Sequence, residues 1–477
     1  MSKQDVVIIG GGSGGYVCAI RAAQLGLRVV LVEKERLGGV CLNWGCIPTK
    51  TLLRSAAAFQ QARRLAEFGV RLNGELLIDW PAMLARKQQV VETLVDGVAK
   101  LLTAHGVQAL QGVARLESPQ QVAVDLNDGR HVWLETKNVV VATGSTPAQP
   151  PIPGLDLPGV VSSDGILSLE TLPRRLVVIG GGVIGVEFAV LFATLGVRVT
   201  VLEMLPHILP PVDRKLSRRY QVLLRQQGIE VRLKARVDRI TRLEAGLRVD
   251  YSLDDQAQTI DADRVLNATG RLPFSDGLGL DELGVIRRRG CVPVNDRLQS
   301  NVPGVYAVGD VTGQVLLAHV AARQGEVAAE VIAGHNSRMD YRAVPNVVFS
   351  LPEIAGVGLT SQEAKEQGIA VQEGAFSFSA LGKALAQGET EGQVRLLCQP
   401  ESGRVLGMHV IGPGASDLVA EGALAVQAGL TARQIAGTIH AHPTLPEAVA
   451  EAARVVAFGE AIHQKKLSRS AHDPDRD

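Results

Sequence analysis

Asp5-Val6-Val7-Ile8-Ile9-Gly10-Gly11-Gly12-Ser13-Gly14-Gly15 is an apolar run that breaks into Gly10-x-Gly12-x-x-Gly15. It continues as a helical pattern to Leu25, followed by a second apolar run, Arg28–Val32, that ends at Glu33. The same order returns downstream. Leu176-Val177-Val178-Ile179 leads into Gly180-x-Gly182-x-x-Gly185, a helical pattern to Leu195, and the run Val197–Leu202 closed by Glu203. The distance from first glycine to acidic residue is 23 residues in both copies. Each copy reads as strand, tight turn, helix, strand, and its uninterrupted apolar runs are those of a parallel sheet buried on both faces. The first glycine permits the turn, the second lets a pyrophosphate approach the backbone, and the third lets helix pack on strand. The helix N-terminus then offers free N–H groups to the phosphates. The glutamate can accept hydrogen bonds from an adenosine ribose and repels a 2′-phosphate. Two merely structural glycine turns would leave the repeated glutamate unexplained, so the chain is expected to hold two dinucleotides.

Working outward, Asn138–Thr143 closes the first unit at Ala142-Thr143-Gly144, and Val265–Thr269 closes the second at Ala268-Thr269-Gly270. Alternating stretches at Val122–Leu126, Val132–Leu134 and Leu247–Tyr251 predict small antiparallel insertions. Pro147–Pro158 and Pro345 mark boundaries. Beyond Pro345, strand patterns at Gln393–Cys398 and Val405–Ile411 precede helical patterns at Ala415–Ala428 and Pro446–Phe458, an α+β arrangement. These signals divide the chain at 1–146, 147–272, 273–344 and 345–463, with a polar, disordered tail at 464–477.

A length of 477 residues exceeds what one core supports. Lys plus Arg and Asp plus Glu balance at 49 each, and aromatics make up 4%, which argues against nucleic-acid and anionic-lipid partners. The N-terminal apolar run is too short for a signal segment, and no stretch reaches membrane-spanning length, so a cytoplasmic protein is expected. The five cysteines, Cys18, Cys41, Cys46, Cys291 and Cys398, are too sparse for a disulfide scaffold.

Among them Cys41 and Cys46 stand close, in Gly38-Gly39-Val40-Cys41-Leu42-Asn43-Trp44-Gly45-Cys46-Ile47-Pro48-Thr49-Lys50. This segment follows Glu33 and so leaves the carboxyl edge of the sheet, where ligands bind. A helical pattern to Arg64 puts the pair at a helix start, which favours thiolates. Five residues apart, the sulfurs meet only if the turn is distorted, which Gly45 and Pro48 allow. A metal site would want further thiols or histidines at short spacing, and none is expected. Cys18, Cys291 and Cys398 read as packing residues.

At these residues the sequence resembles the pyridine-nucleotide disulfide oxidoreductase family, and within it the branch acting on dihydrolipoamide. The resemblance runs through nearly the whole chain: Gly14–Gly26, Gly38–Lys50, Val305-Tyr306-Ala307-Val308-Gly309-Asp310, Leu316-Leu317-Ala318-His319 and His440-Ala441-His442-Pro443-Thr444-Leu445-Pro446-Glu447. It implies two Rossmann-like dinucleotide-binding domains plus an α+β C-terminal dimerisation domain, with residues 273–344 completing the FAD site. One FAD per subunit would be held tightly but non-covalently by Gly10, Gly12, Gly15, Glu33, Lys50, Gly112, Thr143, Gly144, Ser145, Asp310 and Ala318. NAD would meet Gly180, Gly182, Gly185, Glu187, Glu203 and Gly270, with Lys50 pairing Glu187. Cys41 would be the interchange thiol, Cys46 would face the flavin, and His442 would move protons, oriented by Glu447. His440 and His319 are left as structural or minor contacts. The resemblance further implies a homodimer that oxidises protein-bound dihydrolipoamide. Its partners would be the lipoyl domains and acyltransferase core of a 2-oxoacid dehydrogenase complex, or the lipoyl protein of glycine cleavage.

Trp44, Val40, the missing asparagine after Pro273, and Pro446 depart from the family pattern. A glutathione-type reductase would want basic residues after Glu203, where Met204-Leu205-Pro206 stands. A mercuric reductase would want a cysteine pair beyond Cys398. A non-catalytic flavin-binding scaffold would have no use for Cys41, Cys46, His442 and Glu447 together.

Overall fold

The computed structural model describes residues 3–464, so the tail expected to be disordered lies outside them from residue 465 onward. The chain divides into two compact units. One holds the described residues up to Gly180, with Thr194–Arg198 and Val237–Asp340; the other holds Gly181–Ala193, Val199–Arg236 and the described residues from Tyr341 onward.

In the first unit β1 (Gln4–Ile9) runs parallel between β2 (Val29–Glu33) and β5 (His131–Val141). β2 pairs in parallel with the start of β3 (Gln108–Ser118), and β5 with the strand Val305–Ala307. Alternate residues serve opposite faces. Val6, Ile8, Leu31 and Val140 join a core with Cys18, Ala19 and Ala22 of α1 (Ser13–Gln24) and Val327 and Ala328 of the helix Ala318–Ile332. Val7, Ile9, Val30, Val32 and Val141 join a second core with Leu116, Val122 and Leu134. With both faces covered, the strands carry no polar alternation. The helices α2 (Gly39–Asn43), α3 (Cys46–Arg63) and α4 (Trp80–Ala104) follow β2.

Two strands change partners along their length. β3 pairs with β2 through Gln111 and from Gly112 turns antiparallel to β4 (Gln121–Leu126). The stretches 132–134 and 138–143, read separately in the sequence, fall on one strand that ends at Val141: β5 pairs antiparallel with β4 through its first half and parallel with β1 through its second. The same unit holds the parallel strands Val160–Ser162, Arg264–Asn267 and Arg175–Ile179. The two connections at Ser145–Pro147 and Arg271–Pro273 pair as a short antiparallel ribbon.

The second unit holds all but the last residue of the helix Val183–Thr194 and all but the first of the strand Arg198–Glu203, which lies parallel to Glu230–Leu233. Eight consecutive residues of that helix, Gly185–Phe192, are buried, which accounts for its apolar sequence on every side. Five antiparallel strands follow in the order Asn346–Val348, Ile354–Gly358, Val405–Ile411, Gln393–Cys398, Gln372–Ser377. Against them pack the helices Ala415–Ala428 and Glu447–Phe458, through Leu418, Val419, Val449 and Ala453. This is the expected α+β region. Among the described residues no helix is long and apolar enough to cross a membrane.

Candidate active site

The carboxyl ends of β1, β2, β5 and Val305–Ala307 bring together Gly10, Glu33, Thr143, Gly144 and Asp310. Gly10 needs its φ of +107°, and a methyl there would lie 2.3 Å from the Ala142 carbonyl oxygen. A methyl on Gly15 would stand 1.8 Å from the Gly10 oxygen, so the third glycine is what lets α1 leave the turn. Gly12, by contrast, has only the Gly39 Cα within 4 Å of a built methyl. It caps α1 without a side-chain hydrogen bond, leaving the helix N-terminus available to an anion. Glu33 accepts the Gly11 N–H at 2.6 Å and the Glu35 N–H at 2.7 Å. Gly144 is also open and has φ +70°. These features fit the phosphates and ribose of a dinucleotide.

Asp310 lies on a short 3-10 turn after Val305–Ala307, where Ser145 Oγ donates to it at 2.5 Å. Burial pushes its carboxyl above the ordinary value, opposed by Ser145 and Arg271. Arg271 donates from Nε to Ser145 Oγ at 2.9 Å and from its fork to the Ser145 carbonyl at 2.7 Å. Thr143 Oγ1 donates to the Phe274 carbonyl. Gly112 stands where β3 meets β4, and a methyl there would be 2.3 Å from the Asp125 oxygen. Its requirement is met by strand packing. Ala318 is the first residue of the helix Ala318–Ile332.

The redox segment is fastened to the glycine turn. The Gly38 N–H donates to the Gly11 carbonyl at 2.8 Å, and Gly12 and Gly38 form a parallel bridge. Cys41 lies in α2 and Cys46 is the first residue of α3, with the chain broken at Trp44 and Gly45. Gly45 has ψ −105°, outside both helical and extended geometry, and so supplies the distortion expected of this turn. Both cysteines are half-buried thiols. The Cys41 thiol is pushed up, first by its hydrogen bond with Cys46, then by burial and the Cys46 charge; Ser13 and Lys50 pull it down. Lys50 therefore lies within electrostatic reach of the pair. Asn43, buried between them in sequence, donates to the Leu37 and Gly39 carbonyls at 2.9 and 3.0 Å. Its Oδ1 finds no partner among the described residues.

The second glycine turn repeats the first. Gly180 has φ +108°, and a methyl there would lie 2.4 Å from the Ala268 oxygen. Glu203, buried, accepts the Gly181 N–H at 2.5 Å and the Leu205 N–H at 2.7 Å. Gly182 and Gly270 are open, and Gly185 is buried in its helix. Glu187, buried two residues on, accepts the Phe349 N–H at 2.9 Å.

In the second unit His442 Nδ1 meets Glu447 Oε1 at 2.9 Å, and Glu447 Oε2 accepts the Thr444 N–H at 2.8 Å. Burial raises the Glu447 carboxyl, but the Thr444 N–H and His442 outweigh it and hold it below the ordinary value. Glu447 opens its helix directly after Pro446, as expected of a proline at a helix start. The His442 side chain is 78% exposed, with its other ring nitrogen directed away from the Glu447 bond. His440 bonds the Thr438 carbonyl and Glu421, a structural role. Cys18 and Cys398 are buried in cores, and burial pushes each thiol up to about 12. Cys291 is half-buried. Among the described residues no cluster of three metal-ligating side chains occurs.

Sequence reading did not single out Ser13, Arg271 or Asn43. Ser13 stood inside the glycine motif as an unspecified position, and Arg271 carried no spacing signal.

The chain belongs to the pyridine nucleotide-disulphide oxidoreductase family, whose model matches residues 4–325; the family's dimerisation domain matches residues 344–453. It is 42% identical over 463 residues to the dihydrolipoyl dehydrogenase of Geobacillus stearothermophilus, covering 97% of each chain. It is 40% identical over 470 residues to the mitochondrial dihydrolipoyl dehydrogenase of Bos taurus, covering 96% of this chain and 92% of that one. Among solved structures, LpdA from Mycobacterium tuberculosis superposes with a TM-score of 0.89 at 29% identity, covering 94% and 99% of the two chains. The protein is thus an oxidoreductase of the class that uses FAD and NAD.

Proposed function

We propose that the chain, as a homodimer in the cytoplasm, oxidises protein-bound dihydrolipoamide to lipoamide and reduces NAD+. The observation carrying this reading is the Cys41/Cys46 pair, clamped by backbone to the first glycine turn at the carboxyl edge of the sheet. The full-length similarity to dihydrolipoyl dehydrogenases supports the choice of substrate.

In the oxidised enzyme Cys41 and Cys46 share a disulfide. His442 Nε2 takes a proton from one substrate thiol while Nδ1–H stays bonded to Glu447, which stabilises the imidazolium. The substrate thiolate attacks the Cys41 sulfur, the disulfide breaks, and Cys46 leaves as a thiolate at the N-terminus of α3. The second substrate thiol gives its proton to water, and the resulting thiolate attacks the substrate sulfur bonded to Cys41. This releases lipoamide; Cys41 leaves as a thiolate and takes the proton held by His442. Bound FAD would supply a two-electron carrier between the Cys41/Cys46 dithiol and NAD+.

Gly10, Gly12, Gly15, Glu33, Gly112, Thr143, Gly144, Ser145, Asp310 and Ala318 would hold the FAD, with Lys50 beside the flavin and Glu187 as its partner. Gly180, Gly182, Gly185, Glu203 and Gly270 would hold the NAD. Because His442 is exposed, we infer that it serves the cysteines of the other subunit. The lipoyl partner would belong to a 2-oxoacid dehydrogenase or glycine-cleavage assembly.

Purified protein should be yellow and should reduce NAD+ with dihydrolipoamide. Cys46→Ser should keep its FAD and lose that activity by at least about a thousandfold. Full activity in this variant would refute the reading.

A further inference from the structure

Resting on the proposed function, the geometry assigns one more residue to the redox machinery. We propose that Ser13 is a positioning residue for the interchange sulfur, its hydroxyl donating a hydrogen bond to Cys41 Sγ.

The placement follows from a backbone clamp. Gly11 accepts the Gly38 N–H at 2.8 Å, and Gly12 bridges Gly38 in parallel. A methyl on Gly39 would lie 2.7 Å from the Gly12 Cα, so the two strands of the clamp touch without side chains between them. Two helices start from this contact: α1 at Ser13 and α2 at Gly39. Ser13 is therefore the first side chain on one arm, and Cys41 stands on the opening turn of the other. Ser13 and Cys41 are both half-buried, as a shared, partly dry contact requires.

The electrostatics agree. The Ser13 hydroxyl is one of two groups that favour the Cys41 thiolate, the other being the Lys50 charge; the Cys46 hydrogen bond, burial and the Cys46 charge all oppose it. Tyr16, one helical turn beyond Gly12, is pushed up by burial and by the Cys41 charge, so the same edge of α1 faces this sulfur. Once Cys46 carries a negative charge, Cys41 must still leave as a thiolate when lipoamide is released. A hydroxyl donor fixed by the glycine clamp eases that step and holds the sulfur in one orientation. The phosphate-binding turn thereby gains a second task, joining cofactor turn and redox pair through the Ser13 side chain.

The test uses the FAD-loaded enzyme reduced with NADH, with iodoacetamide as probe and Cys41 alkylation followed by mass spectrometry across the neutral-to-alkaline range. Ser13→Ala should keep its FAD, alkylate Cys41 roughly tenfold more slowly at neutral pH, and show a rate–pH curve displaced to higher pH. Ser13→Thr should restore the wild-type curve. Ser13→Gly removes the hydroxyl without adding bulk and carries the test should the alanine variant fail to fold. Superimposed curves for wild type and either hydroxyl-free variant, with FAD retained, would overturn the proposal. So would loss of FAD together with unchanged Cys41 reactivity after reconstitution, which would give Ser13 to the cofactor. A displaced curve in a protein inert toward dihydrolipoamide would refute the proposed function and leave Ser13 standing. Superimposed curves in an active protein would do the reverse.

Discussion

The two glycine turns are built alike and are followed by different chemistry. Gly10 and Gly180 share φ values of +107° and +108°, and a methyl on either would collide with a carbonyl just past a closing strand. Glu33 and Glu203 each take two backbone N–H groups, from Gly11 and Glu35 and from Gly181 and Leu205. Even the next bond repeats: Gly11 accepts from Gly38, and Gly181 accepts from Leu209, both at 2.8 Å. Beyond it the copies part. The first leads into the broken helix bearing Cys41 and Cys46. The second leads to Asp213, which caps an ordinary helix, Arg214–Gln226, with Leu216, Tyr220 and Leu224 buried beneath it. A backbone device that binds a dinucleotide is thus generic, and the reaction is written in what the chain does after the acidic residue.

The largest effect should come from breaking each turn in the same way. Gly10→Ala should give colourless protein, whereas Gly180→Ala should stay yellow, still accept electrons from dihydrolipoamide, and lose NAD+ reduction by at least about tenfold. The FAD-to-protein absorbance ratio and steady-state rates read this out. Equal loss of FAD in both variants would mean that the turns do not serve separate cofactors.

Next in size is the contrast among cysteines. In reduced native protein at mildly alkaline pH, iodoacetamide should label the half-buried Cys41 and Cys46, while Cys18 and Cys398, closed off inside the cores, react at least about a hundredfold more slowly because the reagent cannot reach them. Peptide mapping that found Cys18 as reactive as Cys41 would contradict the assignment of chemistry to the segment after Glu33.

A smaller change should follow at the second acidic residue. The wild type should prefer NADH to NADPH by more than about tenfold, and Glu203→Gln should narrow that ratio, because a 2′-phosphate no longer meets a negative charge. Equal rates in the wild type would remove Glu203 from nucleotide choice.

The smallest expected effect concerns carboxylates that anchor the two halves. Asp5 takes Lys137 and the Arg28 N–H and guanidinium; Asp263 takes the Arg174 and Arg175 N–H groups and the Arg175 guanidinium. Lys137 and Arg28 hold Asp5 well below the ordinary value, and at Asp263 Arg175 and the backbone donors outweigh burial to the same end. A lowered folded value stabilises above the unfolded one and is lost as pH falls through the folded one. Asp5→Asn or Asp263→Asn should therefore cost about 1 kcal/mol, or about 2 °C in Tm, at neutral pH, with the deficit shrinking in acid. A deficit that grows in acid would contradict the pairing.

Much of this molecule was legible in its sequence because periodicity and glycine placement are local. Gln393–Cys398, Val405–Ile411 and Ala415–Ala428 fall where the patterns put them. The helix Trp80–Ala104 was not read, although Asp79 caps it by accepting the Ala82 N–H and a proline stands in its first turn. The single course of β5 was hidden because its two halves answer to different partners, one half-exposed and one fully covered. Glu447 could be joined to His442 only through resemblance, since a spacing of five that crosses from loop into helix has no periodic signature. Ser13 could not be joined to Cys41 at all, because their meeting depends on a backbone clamp between residues far apart in the chain.

The central claim is that electrons enter through Cys41 and reach the flavin by way of Cys46. Anaerobic rapid mixing of enzyme with dihydrolipoamide, in the absence of NAD+, tests it by following flavin absorbance. The wild type should bleach within a turnover, and Cys46→Ser should keep its flavin oxidised over many turnover times. A Cys46→Ser flavin that bleached at the wild-type rate would contradict the account.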